Sequence, residues 1–246
     1  MTDPLASGTP LVIAAHGTRD EAGVAECRAL AERVARKLPG IPVELGFVEL
    51  AEPGIPEAVR AAVAQAPDNP EGADGDEEAA AVVVPLMFNT GGHVREDIPE
   101  AIDEGRGDAR VMYSAPLLPD VRMRKALNHR LTETLAAGEG CEEWRPRDTS
   151  AVLVGRGALV PDANASHYTL TRMFWEENDL SRVEPAFIQV TRPSVPEALS
   201  ALAAQGADQI VVQGNFLFPG LLHVWMTEQV EAWQASHPGV EIRIAP

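Results

Sequence analysis

Two copies of one strand-and-turn pattern constrain the fold more than any other feature of the chain. Ala151-Val152-Leu153-Val154-Gly155-Arg156-Gly157-Ala158 overlies the stretch ending Ile13-Ala14-Ala15-His16-Gly17-Thr18 at an offset of 140 residues. Phe187-Ile188-Gln189-Val190-Thr191-Arg192-Pro193-Ser194-Val195-Pro196-Glu197-Ala198 overlies Phe47 to Ala58 at the same offset, without a gap. Ile210 to Gly220 corresponds to Ala81 to Gly91 at an offset of 129, and Ile242 to Pro246 echoes Val111 to Pro116. The shorter offset reflects an acidic segment, residues 67 to 78, that the second half lacks. Self-similarity of this length implies two units made by duplication.

Within each unit the pattern is strand then helix. Leu11-Val12-Ile13-Ala14-Ala15 is an unbroken apolar run, as expected of a strand covered on both faces of a parallel sheet. Glu21 to Leu38 carries Val24, Cys27, Leu30, Val34 and Leu38 at helical spacing and stops at Pro39-Gly40. Val43 to Leu50 reads as a strand, Pro53 to Ala66 as a proline-initiated helix and Ala79 to Pro85 as a buried strand. Val94 to Glu104 reads as a helix, Val111 to Pro116 as a strand, and Val121 to Leu135 as a helix with Leu127, Leu131 and Leu135 on one stripe. Residues 67 to 78 read as a solvated acidic loop and 138 to 149 as a linker. The alternation predicts two α/β domains with mainly parallel sheets, at 10–137 and 150–246. Related by a pseudo-two-fold axis, they would leave a cleft between facing strand ends. The Val121–Leu135 helix has no repeat in the second half.

The two copies differ where chemistry would sit. Ligands of open α/β sheets bind beyond the carboxyl ends of strands. At three such ends the first copy has His16, Glu49 and His93, and the second has Arg156, Gln189 and Leu222. A one-residue shift would instead set His223 opposite His93. A lone strand-end histidine is most simply satisfied by a backbone carbonyl, but joint loss of three groups beside a retained apolar framework marks one active and one supporting half. Imidazoles and a carboxylate suit divalent iron, cobalt, nickel or zinc, and they also accept protons near neutrality. Three separate strand ends, rather than a helical His-x-x-x-His pair, exclude a zincin arrangement.

Composition narrows the partners. A formal charge of −17 argues against nucleic acid and against an anionic membrane surface. Cys27 and Cys141 have no metal-ligand spacing and form no disulfide framework. The first residues, MTDPLASGTP, show no secretory signal, and no apolar run approaches the roughly 20 residues of a membrane helix. A cytoplasmic protein with reduced thiols is expected, and since one chain supplies both units, a monomer.

His16-Gly17-Thr18-Arg19 resembles the "HGSR/HGTR" signature of the sirohydrochlorin ferrochelatase and cobaltochelatase family, the class II chelatases. Phe47-Val48-Glu49-Leu50-Ala51-Glu52-Pro53 resembles its "FLELAEP" segment, and Pro85 to His93 followed by Asp97-Ile98-Pro99 resembles a third block. Gly155-Arg156-Gly157 and Phe216-Leu217-Phe218-Pro219-Gly220 resemble the degenerate second half of its long members. Met87-Phe88-Asn89 and Leu221-Leu222-His223-Val224-Trp225 depart from the family pattern.

The resemblance implies a lyase that inserts a divalent metal into sirohydrochlorin, for sirohaem or cobalamin, with no organic cofactor and the metal itself as substrate. His16 and His93 would hold the metal or accept the pyrrole protons, with Glu49 as auxiliary base or ligand. Arg156 leads the candidates for the pigment's carboxylates, ahead of Arg19, Arg95 and Arg192. Iron and cobalt are not separable on these ligands. The rival readings are a non-catalytic metal or tetrapyrrole carrier of the same fold, and a domain for an unrelated ligand. A histidine phosphatase is disfavoured because Ala15, not arginine, precedes His16.

Overall fold

The computed structural model describes residues 8–66, 79–88, 90–136, 144–218 and 220–246. The acidic loop at 67 to 78, Cys141, Asn89 and the first half of the expected linker lie outside these residues. By its internal contacts the chain divides into a first unit, Met1–Leu117, and a second, Leu118–Pro246.

In the first unit β1 (Leu11–Ala15) leads to α1 (Glu21–Lys37), β2 (Val43–Phe47) and α2 (Ile55–Ala64). Then come β3 (Ala81–Pro85), α3 (Gly92–Arg95), α4 (Asp97–Arg106) and β4 (Val111–Tyr113). The strands form one parallel sheet in the order β2-β1-β3-β4. Both faces of β1 are covered, which explains its unbroken apolar sequence. Val12 and Ala14 pack with Ala81 and Val83 against Ile55, Ala58, Val59 and Ala62 of α2 and Ile98 and Ile102 of α4. Leu11, Ile13 and Val82 pack against Ala31, Val34 and Leu38 on the α1 side. Each wholly buried valine or isoleucine contributes about 1.5–3 kcal/mol relative to exposure.

Two expectations need correcting here. The strands stop earlier than the apolar runs: β2 ends at Phe47 and β4 at Tyr113, because the chain turns where the ladder partners end. The single helix expected over Val94–Glu104 is two helices, broken at Glu96, whose φ of −124° and ψ of −69° leave the α region. Pro99 then falls in the first turn of α4, where a missing N–H costs nothing.

The second unit starts with α5 (Val121–Ala136) and a short 3-10 turn, Pro146–Asp148. It continues with β5 (Ser150–Gly155), α6 (Pro161–Asn178), β6 (Arg182–Phe187), α7 (Val195–Ala204), β7 (Gln209–Gly214), α8 (Leu221–Gln234) and β8 (Glu241–Ile244). Its parallel sheet runs β6-β5-β7-β8, the same order as the first. Val152, Val154, Ile210 and Val212 pack against Leu199 and Leu202 of α7 and Met226, Val230 and Trp233 of α8.

Helix α5 is the clearest departure from the expected boundaries. The sequence reading ends the first domain at 137, yet α5 packs against α6 and β7 in the second unit. Its apolar stripe, Leu131 and Leu135, is buried there. Gln213 Nε2 donates to the Leu127 carbonyl at 2.9 Å, and Arg243 donates to the Leu135 carbonyl at 2.8 Å. Arg124 and Asn128 both hold Glu177 of α6. The end of the expected linker is not loose either: Trp144 is buried, under the Arg243 guanidinium at 4.1 Å from its ring centroid.

Candidate functional site

The strand order 2-1-3-4 reverses direction at β1, and doubly wound sheets bind ligands at the carboxyl edge beside such a switch point. His16 follows β1, His93 follows β3 on α3, and Glu49 follows β2. These residues, far apart in the chain, come together: one ligand atom from each lies within 4.8 Å of the others. The two imidazole rings meet edge to face, 4.6 Å between centroids at 89°.

Backbone bonds hold the first two groups in register beyond the strands. Val48 N–H donates to Ala15 O at 2.9 Å, and Glu49 N–H donates to His16 O at 3.1 Å. The ladder thus extends just far enough to set the histidine and the glutamate side by side. Gly17 makes this approach possible. Its φ is +92°, and a Cβ there would lie 1.8 Å from Glu49 O. The loop after Glu49 closes through Phe47 N–H to Pro53 O at 2.9 Å, with Leu50 in the left-handed region at φ 63°. A non-glycine residue held there is strained by about 1–3 kcal/mol.

His93 is oriented differently. Its Nδ1 lies 2.6 Å from Asp97 Oδ2, four residues on at the start of α4, so an N–H on Nδ1 donates to the carboxylate and Nε2 is the ring nitrogen left for a ligand. His16 Nδ1 lies 3.1 Å from the Gly17 carbonyl and, donating to it, also leaves Nε2 as the acceptor. Asp97 stands in one of the sequence blocks, but its role was missed. The signal was its i, i+4 spacing from His93. Tyr113, at the end of β4, was missed as well. Its hydroxyl donates to Val94 O at 2.9 Å, pinning α3 beside His93, and burial pushes its pKa up to about 12, so it remains a donor.

The second unit repeats the scaffold without these groups. Ile188 N–H donates to Gly155 O and Gln189 N–H to Arg156 O, as in the first copy. Gly157 has φ +90°, Val190 φ 70°, and a Cβ on Gly157 would lie 2.0 Å from Gln189 O. The helices after β3 and β7 are both capped by glycines, Gly91 and Gly220, at the offset of 129, which sets Leu222 rather than His223 in the place of His93. Asp97 is matched by Met226, fully buried in the core, so the histidine and its partner are lost together.

The four candidate arginines are divided between the units, Arg19 and Arg95 in the first and Arg156 and Arg192 in the second. Arg19 is exposed in the turn that carries His16, and Arg95 ends α3 two residues past His93. Arg156 is exposed at the end of β5, and Arg192 pairs with Glu197 at 2.8 Å. His167 is the one fully buried histidine among the described residues. It lies beneath Gly155 with Nε2 3.1 Å from Leu153 O, and burial lowers its pKa to about 4.

Comparison with known proteins identifies the family. The CbiX family model matches residues 10–134 and 150–246, nearly the whole chain. The sirohydrochlorin cobaltochelatase of Priestia megaterium is 30% identical over 208 residues, covering 83% of this chain and 63% of the relative. The chain therefore spans under two thirds of that protein's length. The sirohydrochlorin ferrochelatase of Bacillus subtilis (strain 168) is 28% identical over 229 residues, 92% of this chain and 80% of the relative. The solved structure of SirB from Bacillus subtilis with Fe3+ superposes with a TM-score of 0.78 at 26% identity, covering 95% of this chain and 86% of that one. With the duplicated sheets, the strand-end histidines and a family match across both copies, the chain belongs to the CbiX family.

Proposed function

We propose that this protein inserts a divalent metal, cobalt or iron, into sirohydrochlorin. The observation that carries the proposal is the convergence of His16, Glu49 and His93 at one sheet edge, in a chain whose relatives are named sirohydrochlorin cobaltochelatase and ferrochelatase. Nε2 of His16 and of His93, with a carboxylate oxygen of Glu49, form a mixed nitrogen–oxygen set that suits a borderline divalent ion. A set of three leaves coordination positions open, so the metal can pass to another ligand.

Insertion exchanges one divalent ion for two protons, those of the inner pyrrole N–H groups. The imidazoles and Glu49 accept those protons as the metal leaves them, and Asp97 steadies His93 as an imidazolium. The protein needs no organic cofactor, since the metal is a substrate. Arg156 is the first candidate to pair with the pigment's carboxylates, with Arg19 and Arg95 behind it. Arg192, already paired with Glu197, is the least available. We place the reaction in the cytoplasm, carried out by a monomer; no described helix is long and apolar enough to cross a membrane.

Anaerobic absorbance assays with sirohydrochlorin and either cobalt(II) or iron(II) test this. Metal-dependent conversion above the uncatalysed rate is expected, falling at least about 100-fold in His16→Ala and in His93→Ala. Pigment binding without conversion would mean a tetrapyrrole carrier, and neither binding nor conversion would reject the substrate.

A further inference from the structure

We propose that the second unit carries an apolar platform for the flat face of the macrocycle, built from Leu159, Val190, Leu221, Val224 and Trp225. The proposal rests on the chelatase reading and adds which residues recognise the pigment.

The sheet order β6-β5-β7 sets the turns after these three strands side by side at one carboxyl edge. Leu159 in the turn after β5 is 90% exposed, and Val190 after β6 is 53% exposed. Leu221, Val224 and Trp225 open α8 at i, i+3 and i+4, with exposures of 67%, 47% and 38%. Five of the nine large exposed hydrophobic residues among those described thus lie on this edge. Scattered exposed apolar residues need no explanation, but a concentration at one ligand-binding edge marks a recognition surface.

The repeat shows what was exchanged. At the offsets of 140 and 129, Leu159, Val224 and Trp225 stand where the first copy has Arg19, Arg95 and Glu96. The edge that lost the histidines therefore also replaced three charges by large apolar side chains.

The platform is held rigidly. Asn164 clasps Ala158 on both sides, accepting from its N–H at 2.9 Å and donating to its carbonyl at 2.8 Å. Val190 sits at φ 70° in a loop closed by Phe187 N–H to Pro193 O. Met226, Val230 and Trp233 anchor the opposite face of α8. A surface already fixed loses little conformational freedom when a ligand covers it.

Charge identifies the occupant. In a chain of net charge −17, residues 156 to 160, 189 to 194 and 220 to 227 contain Arg156 and Arg192 and no aspartate or glutamate. With Arg192 paired to Glu197, exposed Arg156 is the charge at the border, and an apolar surface edged by a guanidinium matches a flat conjugated ring with carboxylates on its rim, which sirohydrochlorin is.

The test uses the full chain with Trp225→Ala, Trp225→Phe and the pair Leu221→Ser/Val224→Ser. We expect KM for sirohydrochlorin to rise on the order of tenfold in Trp225→Ala and in the serine pair. The saturated rate and cobalt(II) affinity should be unchanged, and Trp225→Phe should recover most of the loss. Unchanged KM with normal turnover would overturn the platform and leave the chelatase reading standing. If the wild type shows no turnover, a pigment-binding titration decides: weaker binding in the variants supports the platform, and equal binding or none overturns it. Light scattering that shows a dimer dispersed by Trp225→Ala would overturn it in favour of contact between copies of the chain.

Discussion

The carboxyl edges of the two sheets share a backbone and differ in almost every exposed side chain. Both have a glycine at φ near +90° pressed against the next strand's loop, and a strained residue, Leu50 or Val190, at the same position. On this common frame the first unit mounts His16, Glu49 and His93 with Asp97 behind it, and the second mounts Arg156, Gln189, Leu222 and the buried Met226. Duplication preserved what folding needs, while the side chains that folding leaves free diverged. The lesson is a separation of causes: strain and glycine here belong to the scaffold, and chemistry belongs to the substituents.

The sharpest way to break the comparison is at the glycines. Gly17→Ala and Gly157→Ala force the same overlap, with Glu49 O and Gln189 O respectively. Each should cost well over about 1 kcal/mol in denaturant unfolding. Only Gly17→Ala should abolish metal binding, because only there does the displaced loop carry a ligand. Equal loss of metal binding in both would show that the scaffold, not the substituents, makes the site.

A second contrast is acid stability. His167 occupies in the second unit the position of Cys27 in the first, and its folded pKa of about 4 lies below the ordinary 6.5. Between those values the unfolded chain binds the proton that the folded chain refuses. The contribution is complete above about pH 6.5 and is lost as pH falls toward 4, by about 3 kcal/mol. Urea unfolding from pH 7 to pH 4 should show this slope, and His167→Gln should flatten it without altering metal affinity at neutral pH.

Smaller effects sharpen the account of the first unit. Asp97→Asn keeps a hydrogen-bonding side chain beside His93 but removes the charge, and should weaken cobalt(II) binding about 10- to 100-fold in a calorimetric titration. Tyr113→Phe removes the bond to Val94 O and should cost about 1 kcal/mol in stability, with a change in metal affinity of only a few-fold.

Much of this was legible because the chain repeats itself. The apolar runs located β1, β3, β5 and β7, the offsets paired the strand ends, and the three divergent positions were those the fold brings together. Other features were out of reach for physical reasons. The stripe on α5 shows that the helix is buried on one side, but periodicity carries no information about which sheet it is buried against. The break at Glu96 is different in kind: Pro99, tolerated in a helix's first turn but not in its interior, signals a new start there, and reading Val94–Glu104 as one helix overlooked it. Tyr113 acts through a hydroxyl bond to a backbone atom 19 residues away, which leaves no trace in a residue pattern.

The central claim is that the first copy alone holds the metal. Cobalt(II) titration followed by visible absorption tests it on the wild type, on His16→Ala, and on the double variant Arg156→Ala/Gln189→Ala, which alters the corresponding positions of the second copy. The account predicts a single saturable site that disappears in His16→Ala and is unchanged in the double variant. A site that survives His16→Ala, or that vanishes with the second-copy substitutions, would contradict it.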